Sequence, residues 1–347
     1  MYNVEQINGI PSEVLSYSSF EYNQLVSHRQ HHFFFIIPGN PGSAHFYQPF
    51  AEDLYQRVVE EHADQVVHVY CLSHANHHIN SSFKRSNESR YLGLEDQIFH
   101  HLDYMEHAIK RFKKKYELLL ADIHVYLIGH SIGAYIAIEV LNRSSLLRRL
   151  CSNAMLLMPF ILWRNVPSHH KRTLLLGKYS AALLKPAAYG ITKALEYLPS
   201  AIRQAVIGLP IQSNRGVSQL VLHDLTSARL AGNFRSMGID EVGAISVLDD
   251  HVLRSLQSLV TDSISLLTLH TNDDVWAPES DFAEVLRATR SIPRRRCLVE
   301  TVFEKDLTHA FVLDRNAVRI VTEIVVRHVV SSKTRLSRVA PAIKSSL

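Results

Sequence analysis

The sequence predicts an α/β fold: a mostly parallel central sheet flanked by helices, with a helical cap inserted late in the chain. Three observations carry this. Continuous apolar runs such as 31–37 (HHFFFII) and 66–72 (VVHVYCL) have the character of strands buried on both faces. Between the runs lie stretches whose apolar residues recur at helical spacing. From about Ile161 to Gly243 the strand signals vanish, and a helical composition is interrupted by Pro167, Pro186, Pro199 and Pro210.

Tyr17 to Val26 alternates loosely and reads as an early edge strand. The run 31–37 goes straight into Pro38-Gly39-Asn40-Pro41-Gly42, which breaks it into a tight loop. Phe46 to Glu60 reads as a helix with Phe50, Leu54, Tyr55, Val58 and Val59 on one face. After the strand at 66–72, Tyr91 to Lys114 is a long amphipathic helix carrying Leu94, Ile98, Leu102, Met105, Ile109 and Phe112 at helical spacing. Val125 to Ile128 is the next strand, followed by a turn and a helix through Tyr135, Ile136, Ile138, Val140 and Leu141. Ala154 to Met158 is a further strand, ending at Pro159. This alternation calls for a parallel sheet with right-handed crossovers. Beyond the cap, strands are expected at 263–270 and 297–302, and a last helix from Phe311 to Val330. Residues 331–347 read as a flexible basic tail. One domain over 1–347 is expected, with the cap at 161–243 as an insertion.

At 46% hydrophobic and 20% charged residues the chain is globular in composition, not disordered. Cys71, Cys151 and Cys297 are odd in number and widely spaced, which argues against a disulfide framework and suggests a reducing compartment. The opening MYNVEQINGIPSEV lacks the form of a signal peptide and has no Gly at position 2 for myristoylation. No apolar run has the length of a membrane span. Ser345-Ser346-Leu347 approaches a peroxisomal address but lacks its central Lys, and is read as coincidence.

The turn between Ile128 and the following helix is Gly129-His130-Ser131-Ile132-Gly133. A Gly-x-Ser-x-Gly between a strand and a helix resembles the nucleophile elbow of α/β-hydrolases. The turn is so tight that Ser131 must adopt a strained backbone conformation, and side chains two residues either side would collide. A serine hydroxyl also needs a base, and the base needs a carboxylate to orient it. In the α/β-hydrolase arrangement the acid follows the serine and the histidine comes last. His309 sits shortly after the last strand and before the last helix, the expected place for that histidine. Asp273 and Asp274 compete for the acid; a proline four residues on is usual there, and Pro278 favours Asp274. The oxyanion of an acyl-transfer intermediate needs backbone donors. The N–H of Ile132 is one, and the N–H of Asn40, in the loop after the 31–37 strand, is the other.

Beyond the elbow, IPGNPG followed by FYQPF, then YLGLEDQIFHHLDYM, GHSIGAY, DDVWAP and the late HAFV, resemble the lipid droplet-associated hydrolases. The resemblance runs from about Phe35 to Val312. It implies an α/β-hydrolase fold, a triad of Ser131, Asp274 and His309, and residence on lipid droplets and the cytosolic face of the endoplasmic reticulum. It also implies a lipid ester substrate, with sterol esters the usual suggestion. No cofactor is expected. One departure is Thr271, where a glycine often stands three residues before the acid; it keeps Asp273 open.

Between Arg164 and His223 eight basic residues accompany a single acid, Glu196, against a net charge of +4 for the whole chain. The apolar clusters of 171–211 are interspersed with Lys171, Arg172, Lys178, Lys185, Lys193 and Arg203. Such a segment suits shallow insertion beside anionic headgroups; an ordinary cap burying its leucines over the site is the alternative. No aromatic interleaving accompanies the charges, so nucleic acid is not expected. His74, His77, His78, His100 and His101 lack partners at zinc-ligand spacing, so no metal is expected, and Arg294-Arg295-Arg296 reads as a solvated turn. The function expected is a serine esterase acting on a lipid ester. Two alternatives are a droplet-surface protein that uses the fold as a scaffold with little turnover, and a hydrolase of small soluble esters.

Overall fold

The computed structural model describes residues 2–19, 29–61, 64–77, 92–162, 250–272 and 297–344, with shorter pieces between 237 and 245 and between 274 and 287. Eight strands form one sheet in the order β1-β2-β4-β3-β5-β6-β7-β8. They are β1 (Tyr2–Ile7), β2 (Ile10–Ser18), β3 (His31–Ile37), β4 (Val66–Leu72), β5 (Ile123–His130), β6 (Cys151–Leu157), β7 (Ser265–Thr271) and β8 (Val299–Glu304). From β4 to β8 every neighbouring pair is parallel. Only β1 and β2 run antiparallel to their neighbours.

Strand β3 shows why the sheet is double-sided. Successive side chains alternate across a strand. Phe33, Phe35 and Ile37 therefore enter one core, and Phe34 and Ile36 enter the other. The first core is covered by α2 (Leu94–Lys115), α3 (Ile132–Arg143) and α5 (His251–Thr261), with α4 (Ser145–Leu150) at its edge. The second is covered by α1 (Gln48–Glu61) and α6 (Arg315–Lys344). In α2 the expected stripe is the buried one: Leu94, Ile98, Met105 and Ile109 are in the core, with Leu102 and Phe112 packed at its margin. Buried Glu139 links α3 to α5: it meets His251 at 2.9 Å and also pairs with Arg143 one turn on, at 3.0 Å. Arg143 also grips both oxygens of Glu95 on α2.

Of the strand expected at 17–26, Tyr17 and Ser18 end β2, and 20–26 lie outside the described residues. A hairpin, β1 and β2, turns at Asn8-Gly9, both with positive φ (51° and 79°). An Asn-Gly pair between apolar residues is a two-residue hairpin turn, and the signal was present in the sequence. The last helix differs from the expected one. A 3-10 turn at Phe311–Leu313 precedes α6, whose start Asp314 caps by accepting from the N–H groups of Asn316 and Ala317. Helix α6 then runs to Lys344, where a flexible tail from 331 was expected. Its continuation past Val330 is anchored: buried Ser332 meets the Asn153 side chain at 2.9 Å, and Lys333 donates to Gln65 at 2.8 Å. Nearly all of the expected cap at 161–243, including the whole of 171–211, lies outside the described residues, as do Arg294 to Arg296 and His78. Cys71, Cys151 and Cys297 are buried thiols, none of them in a disulfide. Among the described residues no helix is long and apolar enough to cross a membrane, and no cluster of histidine, cysteine or acidic residues has the geometry of a metal site.

Candidate active site

The site lies at the C-terminal ends of β3, β5, β7 and β8, because parallel strands deliver their following loops to one edge of the sheet. Strand β5 ends at His130, and Ser131 caps α3 with φ 55° and ψ −123°, a conformation rare outside glycine. That strain is held from both sides. The Ser131 N–H donates to Leu157 O at 3.0 Å, and its own carbonyl accepts from Ala134 and Phe160 at 3.0 and 3.1 Å. The flanking glycines are required by backbone, not by flexible side chains. A Cβ on Gly129 would lie 2.6 Å from Ala134 Cα; one on Gly133 would lie 2.5 Å from Pro38 O and closer still to Ile37 O. Gly133 is thus where α3 meets the loop after β3.

Ser131 Oγ is 2.9 Å from His309 Nε2, and His309 Nδ1 is 2.8 Å from Asp274 Oδ2. The three residues expected from the sequence are brought into one line from three separate loops. Asp274 has a fully buried side chain, while His309 is about a quarter exposed. The second Asp274 oxygen accepts from the N–H groups of Trp276 and Ala277 at 2.9 and 3.0 Å. Burial by itself would raise the Asp274 pKa. The hydrogen bond and charge of His309, with the two N–H donors, outweigh that and hold the carboxyl below its usual range. Asp274 is therefore a carboxylate, and His309 must present its proton at Nδ1. The bare Nε2 lone pair then faces the serine hydroxyl. Asp273 lies outside the described residues.

Thr271, the departure from the usual glycine, has a structural use. Its Oγ1 donates to Leu307 O, so the end of β7, three residues before Asp274, is strapped to the loop two residues before His309.

The loop after β3 lies against the elbow. A Cβ on Gly39 would be 2.9 Å from Ser131 Cβ. Ile132 is the first residue of α3, so its N–H has no acceptor within the helix and adds to the positive end of the helix dipole. Asn40 uses its side-chain amide to donate to Glu241 at 3.0 Å. Buried Glu241 has its pKa pushed up to about 8, chiefly by desolvation, so it is mostly protonated at neutral pH. Neither Glu241, which no sequence motif marks, nor the supporting pair Tyr47 and His130 was expected. Both members of that pair stand within landmark segments, FYQPF and GHSIGAY, so their position beside the loop and the serine was a usable signal.

A serine on a strained elbow, backed by a histidine and a buried carboxylate on a sheet of this strand order, defines an α/β-hydrolase. Within that class the chain belongs to the lipid-droplet associated hydrolase family, whose model matches residues 30–312. A lipid droplet-associated hydrolase of Gallus gallus is 28% identical over 285 residues, covering 81% of this chain and 80% of that one. The Homo sapiens protein of the same name is 25% identical over 293 residues, with 81% and 80% covered. Solved structures agree on the fold. A peroxisomal α/β-hydrolase from Saccharomyces cerevisiae aligns with a TM-score of 0.58 at 11% identity, covering 94% of this chain and 82% of that one. An epoxide hydrolase from Vigna radiata aligns with a TM-score of 0.57 at 13% identity, covering 95% and 98%.

Proposed function

We propose that the protein is a serine hydrolase that cleaves a lipid ester through an acyl-enzyme at Ser131. One observation carries this: the hydrogen-bonded line from Ser131 Oγ through both nitrogens of His309 to a buried carboxylate, Asp274. In the first step Oγ attacks the ester carbonyl carbon while His309 Nε2 takes its proton. Asp274 keeps the imidazole oriented and offsets the charge it gains. The N–H groups of Ile132 and Asn40 take the oxyanion. Collapse breaks the bond to the alcohol, which leaves with the proton from His309. Water, activated by the same nitrogen, then releases the acid and restores Ser131. The sequence of steps requires no cofactor and no metal.

Family membership supports a lipid as the substrate, and sterol esters are the first class to assay. We assign the protein to the cytosolic face of lipid droplets and the endoplasmic reticulum. Its contact is the basic apolar segment 171–211, whose lysines and arginines suit anionic headgroups. A fluorophosphonate probe should label the wild-type protein and leave Ser131→Ala unlabelled. No label on folded wild-type protein would sink the enzyme reading in favour of a droplet-surface scaffold. Removing Leu174 to Ile211 should release the protein from droplets; unchanged localisation would refute the surface assignment.

A further inference from the structure

Behind Ser131 runs a second chain of hydrogen bonds in which every donor is determined. The His309 carbonyl can only accept, so the proton it meets at 2.8 Å belongs to His130 Nε2. His130 Nδ1 is then bare, and accepts the Tyr47 O–H at 2.6 Å. Tyr47 Oη in turn accepts the N–H of Gly39 at 2.7 Å. The relay starts on the loop after β3 and ends on the main chain of His309, passing through the residue before the serine. Its members are confined as well as bonded. Tyr47 and His130 are buried, and Phe311 stands edge-on to the His130 ring at 5.1 Å. A Cβ on Gly39 would come within 3.1 Å of His130 Nδ1.

We propose that His130 and Tyr47 are positioning residues, which fix the spacing between the loop that carries Asn40 and the main chain of His309 on either side of Ser131. This rests on the acyl-enzyme reading above. The physical reason is that the oxyanion donors and the base sit on loops distant in sequence. A nucleophile gains from both only if they stand at a fixed distance from it. Neutral hydrogen bonds can set that distance without adding a charge beside Ser131. His130 meets the condition, since burial first and the neighbouring His309 second push its pKa down to about 3. A buried histidine–tyrosine pair that merely satisfies its own polar atoms would need the same bonds, but its loss would not act selectively on turnover.

The test compares Tyr47→Phe, His130→Phe and His130→Gln with the wild type, using a short p-nitrophenyl ester and thermal unfolding. Tyr47→Phe and His130→Phe should lower kcat by about 10- to 100-fold while KM stays nearly constant. His130→Gln should recover most of kcat, because its amide N–H can still reach the His309 carbonyl. Wild-type kcat in folded Tyr47→Phe would overturn the proposal, as would a loss in His130→Phe that His130→Gln does not relieve. Should the His130 variants fail to fold, long-range nitrogen–proton correlation spectra of the wild type decide: His130 must be protonated at Nε2, and protonation at Nδ1 contradicts the relay. A wild type that no fluorophosphonate labels would fail the acyl-enzyme reading itself. A labelled wild type matched in rate by Tyr47→Phe fails the relay alone.

Discussion

On one side of Ser131 the site is built with charge; on the other it is built without. Asp274 is a fully buried carboxylate facing His309 at 2.8 Å, and its remaining oxygen is met by two backbone N–H groups. The loop from Pro38 to Gly42 is held instead by neutral groups. Tyr47 accepts from Gly39, His77 donates to Pro41 O, and the His74 ring fills the space a Cβ on Gly42 would need. Burial lowers the pKa of His74 and of its partner His101 well below the usual value. The difference follows from what each side must do. In the proposed mechanism the acid side must offset a proton's worth of charge when His309 takes the serine proton, so it needs a full negative charge. In that mechanism the loop side would have only to present N–H groups at fixed positions, and any full charge near it would compete with the oxyanion.

Breaking the charged side should have the largest effect. Asp274→Asn would offer an amide N–H where His309 Nδ1 now donates, which favours the wrong tautomer, and kcat should fall about 10⁴-fold with the fold retained. Steady-state kinetics with circular dichroism as the control would check this, and a loss below tenfold would mean that Asp274 is not the orienting acid. Breaking the steric side should act on stability. Gly133→Ala forces a Cβ against the carbonyls of Ile37 and Pro38, which cannot rotate away. It should cost about 1–3 kcal/mol in urea unfolding.

Acid should separate the two sides further. Buried His68 and His130 have pKa values pushed down to about 3, and His31, His100 and His270 to about 4, in each case mainly by burial. Above pH 6.5 these histidines are neutral both folded and unfolded, so they add no pH dependence there. As pH falls below 6.5 the unfolded chain binds protons that the folded chain refuses, and stability declines down to about pH 4. Glu241, raised to about 8, acts the other way: it favours the fold below its ordinary value of 4.5 and loses that contribution as pH rises toward 8. Five histidines outnumber one glutamate, so the denaturation midpoint should drop between pH 6.5 and 4; a flat profile there would contradict neutral burial. The smallest effect is expected from Thr271→Ala, which leaves Leu307 O without its hydroxyl donor and should cost about 1 kcal/mol.

The sequence was most legible where one residue type had one physical use. The runs at 31–37 and 66–72 are the observed β3 and β4 to the residue, since a strand buried on both faces has no exposed position to blur it. Ser131 and His309 were readable from order along the chain, because parallel strands deliver their loops to one edge. Less legible were residues whose role depends on distant partners. Tyr47 and His130 are 83 positions apart, and nothing local to either shows that they share a proton. Glu241 meets Asn40 across 201 positions. The Asn8-Gly9 turn was a local hairpin signal, and α6 runs past its expected end because Ser332 and Lys333 find partners in Asn153 and Gln65.

The proposed mechanism requires that Ser131 become acylated during turnover. Wild-type protein mixed with a p-nitrophenyl acyl ester, quenched in acid and digested, should carry the acyl mass on the peptide containing Ser131, and Ser131→Ala should carry none and release no nitrophenol above background. Sustained hydrolysis by Ser131→Ala, or by wild type with no acyl mass at Ser131 under single-turnover quench, would contradict the account.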